Sequence, residues 1–360
     1  MQFGLSSEQT LLQDSLAQFL SDQAPLARVR QFAERDEGRA TDLIVGLTEL
    51  GVPALLVPEA HGGLGLAPLD ACVVAEVLGR FVAPLPFVAS MVMVPTALLL
   101  AASPGQQQDW LGRIATGQTL VGAALSELCG ARQGAGVNCR DGKLNGRALF
   151  VLDFEADAYL VADSNCGLHL VAADAPGLTR QGLETVDRTR PIGELILADV
   201  AAEPLPGANT QVCQQVLDIG RVVLAADTLG AAQAMLDQAV AYAQQREQFG
   251  RVIGSFQAVK HMCAEMAAHL EPSRAFVWYA GHALRDKPDE AHLLACHVKA
   301  HLSEVGQALA KSATEVHGGM GFTDLLGLHY WFKRIGFNRQ MLGTPERLRL
   351  EAARAQALTN

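Results

Sequence analysis

The chain has no surplus of positive charge: 28 Lys and Arg stand against 38 Asp and Glu, a net −10. Broad nucleic-acid binding is therefore excluded, because nothing replaces the counterions of a polyanion, and only a local basic pocket for one anionic ligand stays open. The seven cysteines are odd in number and never stand in C-x-x-C spacing. That argues against a disulfide framework or a thiolate zinc site and for small buried side chains in a reducing compartment. The opening stretch, Met1 to Glu8, has neither a basic nor an apolar region, so no signal peptide is expected. The oily run 87–102 contains Ser90, Pro95 and Thr96 and falls short of the ~20 residues of a membrane span. Neither G-x-G-x-x-G nor a P-loop occurs. The expectation is a soluble, cytoplasmic protein without a membrane span.

What is present is material for burial. Apolar residues make up 49% of 360 residues and charged ones 18%, which excludes a disordered chain and implies several packed layers. The grammar changes twice along the chain. Residues 1–117 read as helical: Ser6 and Gln9 fit a capping box before Leu12, Leu16, Phe19 and Leu20, a Pro- and Gly-rich loop spans 51–68, and a helix is expected over 69–79. Residues 118–208 break into short segments at 121–125, 143–154, 158–161, 168–171 and 194–200, divided by Gly, Asp, Asn and Pro, which predicts a compact β module. Residues 209–360 return to long helices at 221–246, from 257 onward, and at 290–316, with Pro272 expected to kink or interrupt the second. The fold class is α+β and multidomain: an N-terminal helical domain, a central β-barrel-like domain and a C-terminal four-helix bundle.

Two clusters carry chemistry. Arg246-Glu247-Gln248-Phe249-Gly250 stands at a helix end, followed by Ser255 as a cap for the next helix and by Gln257. Arg246 offers a planar fork suited to a diphosphate, Phe249 an aromatic surface, and the glutamines paired donors and acceptors. The plainer alternative is a solvated helix terminus whose Arg complements the dipole. The second cluster, Val316-His317-Gly318-Gly319-Met320-Gly321-Phe322-Thr323, puts three glycines where a long helix stops, so backbone N–H groups can approach a ligand closely. A glycine-rich interhelical turn with a packed His317 is the alternative there.

Together these motifs, with Val57-Pro58-Glu59, Gly62-Gly63 and Ala75-Glu76-Val77-Leu78-Gly79, resemble the acyl-CoA dehydrogenases over essentially the whole chain. The resemblance implies FAD, an acyl-CoA substrate, an electron-transfer flavoprotein as acceptor, and a homo- or hetero-oligomer. It places Arg246, Gln248 and Phe249 on the ADP half of an FAD held largely by a neighbouring subunit, with Gly318 and Gly319 beside its diphosphate and Gln257 in the same cleft. It places Ser126 and Phe150 on the two flavin-contacting strands, and Arg221 beside the substrate.

The resemblance also implies a catalytic carboxylate at one of two positions, and both are glycine: Gly343 within Met341-Leu342-Gly343-Thr344, and Gly220 near the start of the first C-terminal helix. Asp218 is the nearest substitute for the first-helix position and Glu346 for the other, while capping or salt bridging is the plainer role for Asp218. Phe150, Leu152 and Glu315 stand where a tryptophan, a hydroxyl residue and a glutamine are common. Two readings of the resemblance follow: a dehydrogenase with an unusual base, or one chain of a mixed oligomer whose partner supplies the base for bulky, ring-bearing CoA thioesters such as steroid side chains. A flavin-free binding module, or a nitroalkane-oxidase or monooxygenase relative, are the competing readings.

Overall fold

The computed structural model describes residues 4–35, 38–130 and 134–358, with Ser126 described through its backbone alone. The first block is helical. The expected capping box forms at α1 (Ser7–Gln23): Ser6 Oγ accepts from Gln9 N and Gln9 Oε1 from Ser6 N. Then come α2 (Leu26–Arg35), α3 (Thr41–Glu49), α4 (Pro68–Arg80), a wide π-helical turn at Val88–Met93 running into α5 (Val94–Ala101), and α6 (Pro104–Ala115).

The central module holds two sheets. The first is ordered β1 (Val121–Ala124), β4 (Ala158–Ala162), β5 (Leu168–Ala172), β8 (Glu203–Pro204); the second β2 (Gly136–Arg140), β3 (Lys143–Val151), β7 (Ile192–Ala201), β6 (Leu178–Leu183). The barrel-like module is an open one. Among the described residues the sheets share one β-bridge, Ala123 to Leu152, and β6 and β8 end as edges, so no barrel closes. Strands β2 and β6 were not foreseen; β6 is mostly exposed and lacks the apolar alternation that marks a strand.

The last block contains α7 (Thr210–Gln245), α8 (Gln257–Asp286), α9 (Pro288–His317), α10 (Leu328–Gln340) and α11 (Pro345–Ala355). Helices α7 to α10 form the bundle, and α11 is a fifth helix packed on α9. Pro272 does not interrupt α8, which stays continuous between flanking α7 and α9; just beyond it, Ser273 Oγ donates to His269 O at 2.8 Å. Helix α7 is long and apolar enough to cross a membrane, yet its most apolar window is 94% buried, as in a core helix.

Two features set the helical blocks and the β module against each other. Helices α4 and α7 cross at van der Waals contact: a Cβ on Gly230 would lie 1.8 Å from Glu76 O, and one on Gly79 would lie 2.0 Å from Asp227 O. Only glycine fits at both. Beside that crossing, Asp227 of α7 accepts from Arg190 Nη2 at 2.5 Å and Asn338 Nδ2 at 2.6 Å, while Arg334 of α10 donates to Asp187 at 2.8 Å and to Asp227 at 3.2 Å. All five side chains are buried. This knot joins the loop before β7 to α7 and α10.

Candidate active site

The two glycine- and arginine-bearing helix ends meet. Helix α7 stops at Gln245, and Arg246 N donates to Tyr242 O at 2.8 Å. Beyond it, β9 (Glu247–Gln248) and β10 (Arg251–Val252) pair around a two-residue turn, in which Phe249 and Gly250 take φ of +54° and +74°. Positive φ at both central residues is the signature of a tight hairpin turn, and it needs Gly at the second place. Helix α9 stops at His317, whose ring lies 4.7 Å from that of Tyr242 and whose Nδ1 lies 2.7 Å from Ala313 O. His317 is buried and packs the two ends together. Gly318 follows at φ +58°, ψ −139°, a conformation open to glycine alone.

The surface so formed is polar and open. Arg246, Gln248, Gln257, Gly318 and Gly319 are all exposed, and a Cβ on Gly318 or Gly319 would meet nothing within 4 Å. Gln248 Nε2 donates back to Glu247 O at 2.8 Å. Phe249 is 92% exposed and meets Phe256 edge-on at 6.1 Å, while the Arg251 guanidinium lies 4.0 Å over the Phe256 ring. Ser255 is not the cap: its hydroxyl donates to Val252 O, and α8 begins behind Phe256. Phe322 in the glycine-rich turn and Leu325 just after it are exposed too, at 81% and 75%.

A second place lies between the β module and the C-terminal helices. A cleft of about 220 Å³ is bounded by Cys129, Gly130 and Phe150 on one side and by Met341, Gly343 and Arg347 on the other. Phe150 has φ +52°, and Leu152 beyond it exchanges both backbone hydrogen bonds with Ala123 at 3.0 Å. Ser126 opens the turn Ser126–Cys129 that borders the cleft, but its side chain lies outside the described residues. Burial raises the Glu127 carboxyl above its ordinary range, although Leu149 N donates to it. Thus Ser126 and Phe150 gather at one place and Arg246, Gln248, Phe249, Gln257, Gly318 and Gly319 around another.

Of the two base positions, Gly220 is hemmed in and Gly343 borders the cleft. A Cβ on Gly220 would lie 2.7 Å from both Leu342 Cδ1 and Met93 Sδ. Gly343 has φ +113°, and a Cβ there would lie 3.1 Å from Leu348. Arg221 is buried and donates to Leu342 O at 3.0 Å, to both oxygens of Glu351 at 2.8 and 3.0 Å, and to Asp218 at 3.1 Å. Asp218 also accepts from Gln214 at 3.0 Å and lies 3.0 Å from His292 Nδ1. The Asp218 bond holds the His292 imidazole above its ordinary pKa despite burial. Burial works against the Glu351 carboxylate, but Arg221 outweighs it and pulls that pKa down. Glu346 is exposed and pairs with Arg339 at 3.1 Å. Glu351 and His292 carried no sequence signal, since they reach Arg221 and Asp218 only through the docking of α11 and α9 on α7.

Residues 210–357 match the model of the acyl-CoA dehydrogenase C-terminal domain, and residues 6–118 that of the N-terminal domain. The chain belongs to the acyl-CoA dehydrogenase family. These are flavin-dependent oxidoreductases acting on the CH–CH bond of acyl-CoA thioesters. The chain is 32% identical to "Acyl-CoA dehydrogenase IpdE2" of Mycobacterium tuberculosis over 96% of both chains. Among solved structures it is similar to the "Tcur3481-Tcur3483 steroid ACAD G363A variant", with a TM-score of 0.89 and 30% identity over 98% of each chain. It is also similar to the ChsE4–ChsE5 complex of Mycobacterium tuberculosis, with a TM-score of 0.92 and 26% identity over all of both chains. The donor set fits the family's FAD. The forked cation of Arg246 and the open backbone of Gly318 and Gly319 suit a diphosphate, and the 220 Å³ cleft borders Phe150.

Proposed function

We propose that this acyl-CoA dehydrogenase family chain is one subunit of a mixed oligomer, in which a related partner supplies the catalytic base. One observation carries this: both base positions are glycine, and the space beside Gly220 is filled by Met93 and Leu342. The paired chains among the similar structures support it, as do the exposed apolar side chains of Phe249, Phe322 and Leu325. The likeness to the Tcur3481-Tcur3483 steroid ACAD favours a bulky, ring-bearing acyl group such as a steroid-derived one. A cytoplasmic setting agrees with seven free cysteines.

FAD, when bound, accepts the substrate β-hydrogen together with its electron pair. The α-proton goes to a carboxylate, which in this reading the partner subunit holds. Arg246 would hold phosphate oxygens through its fork, and the bare backbone at Gly318 and Gly319 would let the same anion approach closely. Gln248 and Gln257 hydrogen-bond along that edge, and Phe249 covers it with an aromatic face. Phe150 and the turn at Ser126 wall the ring end. An electron-transfer flavoprotein is the acceptor we propose.

The test is purification alone and with a co-expressed homologous chain. Colourless protein that turns yellow and active only with the second chain is expected. Arg246→Ala in that complex should lower FAD affinity at least ~10-fold, as loss of a charge-assisted phosphate contact implies. Yellow protein that an acyl-CoA bleaches anaerobically without a partner would replace this reading with a self-sufficient dehydrogenase using Asp218. Protein colourless under every condition would leave a flavin-free binding module.

A further inference from the structure

The turn between β4 and β5 gathers three side chains of metal-binding type. Cys139 of β2, Asp163 of the turn and His169 of β5 bring one sulfur, one carboxylate oxygen and one ring nitrogen within 4.8 Å of one another. Asp163 and His169 are each 6% exposed, and Cys139 is half-buried. Strands β4 and β5 pair antiparallel, with Ala162 opposite Leu168 and Val161 opposite His169, which brings His169 back beside Asp163. The turn is then tied to β2: Ser164 N donates to Val137 O at 2.8 Å, and Ser164 Oγ donates to Asn138 Oδ1 at 2.9 Å. That tie sets Cys139, from the other sheet, next to the Asp–His pair.

The carboxylate is held by one oxygen and offers the other. Asp163 Oδ1 accepts from Asn165 N at 2.8 Å and from Gly167 N at 2.9 Å, while Oδ2 faces His169 Nε2 at 2.9 Å. Supporting hydrogen bonds of this kind orient the carboxylates that ligate metals. Burial opposes the Asp163 charge, but the hydrogen bonds from His169, Gly167 and Asn165 outweigh it and keep this carboxyl below its ordinary range. Among the described residues no Lys or Arg pairs with it, whereas buried Asp218 and Asp227 each face an arginine. Gly167 keeps the corner clear: a Cβ there would lie 2.5 Å from Asp163 Oδ2 and 2.9 Å from His169 Nε2. Closing the turn would need only the Asp–His bond. The thiol beside it completes a donor set of sulfur, nitrogen and oxygen, which suits Zn²⁺ rather than Mg²⁺ or Ca²⁺.

We propose that Cys139, Asp163 and His169 form a zinc site that clasps the two sheets together, with water as the fourth ligand. Zn²⁺ takes the Cys139 thiolate, Asp163 Oδ2 and one His169 ring nitrogen. The thiol proton leaves to solvent, and the imidazole proton stays on the other ring nitrogen. The half-buried sulfur gives the ion its way in. One thiolate with donors from two sheets has no C-x-x-C spacing, so the site escapes a reading along the chain. None of the three residues belongs to the flavin edge, to the 220 Å³ cleft or to the base positions, so the site is independent of the function proposed above.

The test titrates Co²⁺, a spectroscopic stand-in for Zn²⁺, into the full chain after chelation and reduction of its thiols, and reads difference spectra. Saturation at one Co²⁺ per chain is expected, with a thiolate-to-cobalt charge-transfer band and the intense visible bands of tetrahedral coordination, all lost on adding Zn²⁺. Cys139→Ser should abolish the charge-transfer band and weaken Zn²⁺ binding at least ~10-fold, the least that losing even a supporting group costs. His169→Gln should weaken Zn²⁺ as much, should the first variant fold poorly. Cys296→Ser, at the other grouping of Cys, His and carboxylate with His292 and Glu351, should leave the band unchanged. Absence of the charge-transfer band, a band that survives Cys139→Ser, or one lost with Cys296→Ser would each overturn the proposal.

Discussion

Near its start, α7 sets Asp218 and Arg221 against Glu351 and His292; just past its end, Arg246 faces solvent beside two open glycines. One helix thus carries a closed end and an open one. At the closed end these four charges are matched inside the chain, because an ion taken out of water without a partner costs several kcal/mol. Among the described residues no carboxylate stands within ion-pair distance of Arg246. An exposed guanidinium costs little in that state and stays available to an anion from outside. The difference separates what the chain needs to fold from what it offers to a cofactor.

The sharpest way to break this contrast is in the middle of α7. Asp227→Ala strands Arg334 and Arg190 in the core, and loss of about 3–5 kcal/mol is expected, as for other broken buried pairs. Urea unfolding measures it, and a loss under about 1 kcal/mol would mean that the knot is not holding the three elements together.

Lys299 tests the closed region by pH. It is buried and, among the described residues, has no carboxylate partner, its Nζ lying 3.3 Å from Ser303 Oγ and 3.5 Å from Arg339 O. Burial, with Arg221 and Arg339 adding repulsion, pushes its pKa down to about 7. Between pH 7 and the ordinary lysine range the unfolded chain holds a proton that the folded chain does not. This group's contribution therefore favours folding more as pH rises through that window. Lys299→Met should be more stable at pH 7, on the order of 1–3 kcal/mol, with the gain shrinking by pH 10. Unfolding curves of both proteins at the two pH values decide it; a gain that grows with pH contradicts the assignment.

A smaller effect is expected from installing a carboxylate at a closed base position. Gly220→Glu must displace Leu342 and Met93 and should cost about 1–3 kcal/mol, as overpacking does. It should produce no partner-independent turnover, and an active homomer from this single change would show that the site was merely missing its base.

Much of the molecule was legible in particular residues. Ser6 and Gln9 announced α1, apolar spacing announced α7, and Gly318 marked a helix end with positive φ, whereas Gly250, expected as a helix stop, takes positive φ in the hairpin turn beyond α7. These signals are local, carried by residues three or four apart or by one backbone angle. Pro272 leaves α8 uninterrupted, and Ser255 misled because Phe256 took the cap position. Strand order was not legible because it depends on pairings far apart in the chain.

By itself the sequence determined the order of helical and β blocks, the family, the absence of a carboxylate at positions 220 and 343, and the composition of the two helix-end motifs. Tertiary structure alone decided that Tyr242 and His317 stack to join those motifs, that Met93 and Leu342 fill the space beside Gly220, and that Glu351 and His292 close on Arg221 and Asp218. The physical reason is range. Conformational preference and periodicity act over a turn or two, whereas charge pairing and exclusion of volume act between segments that only the folded core brings together.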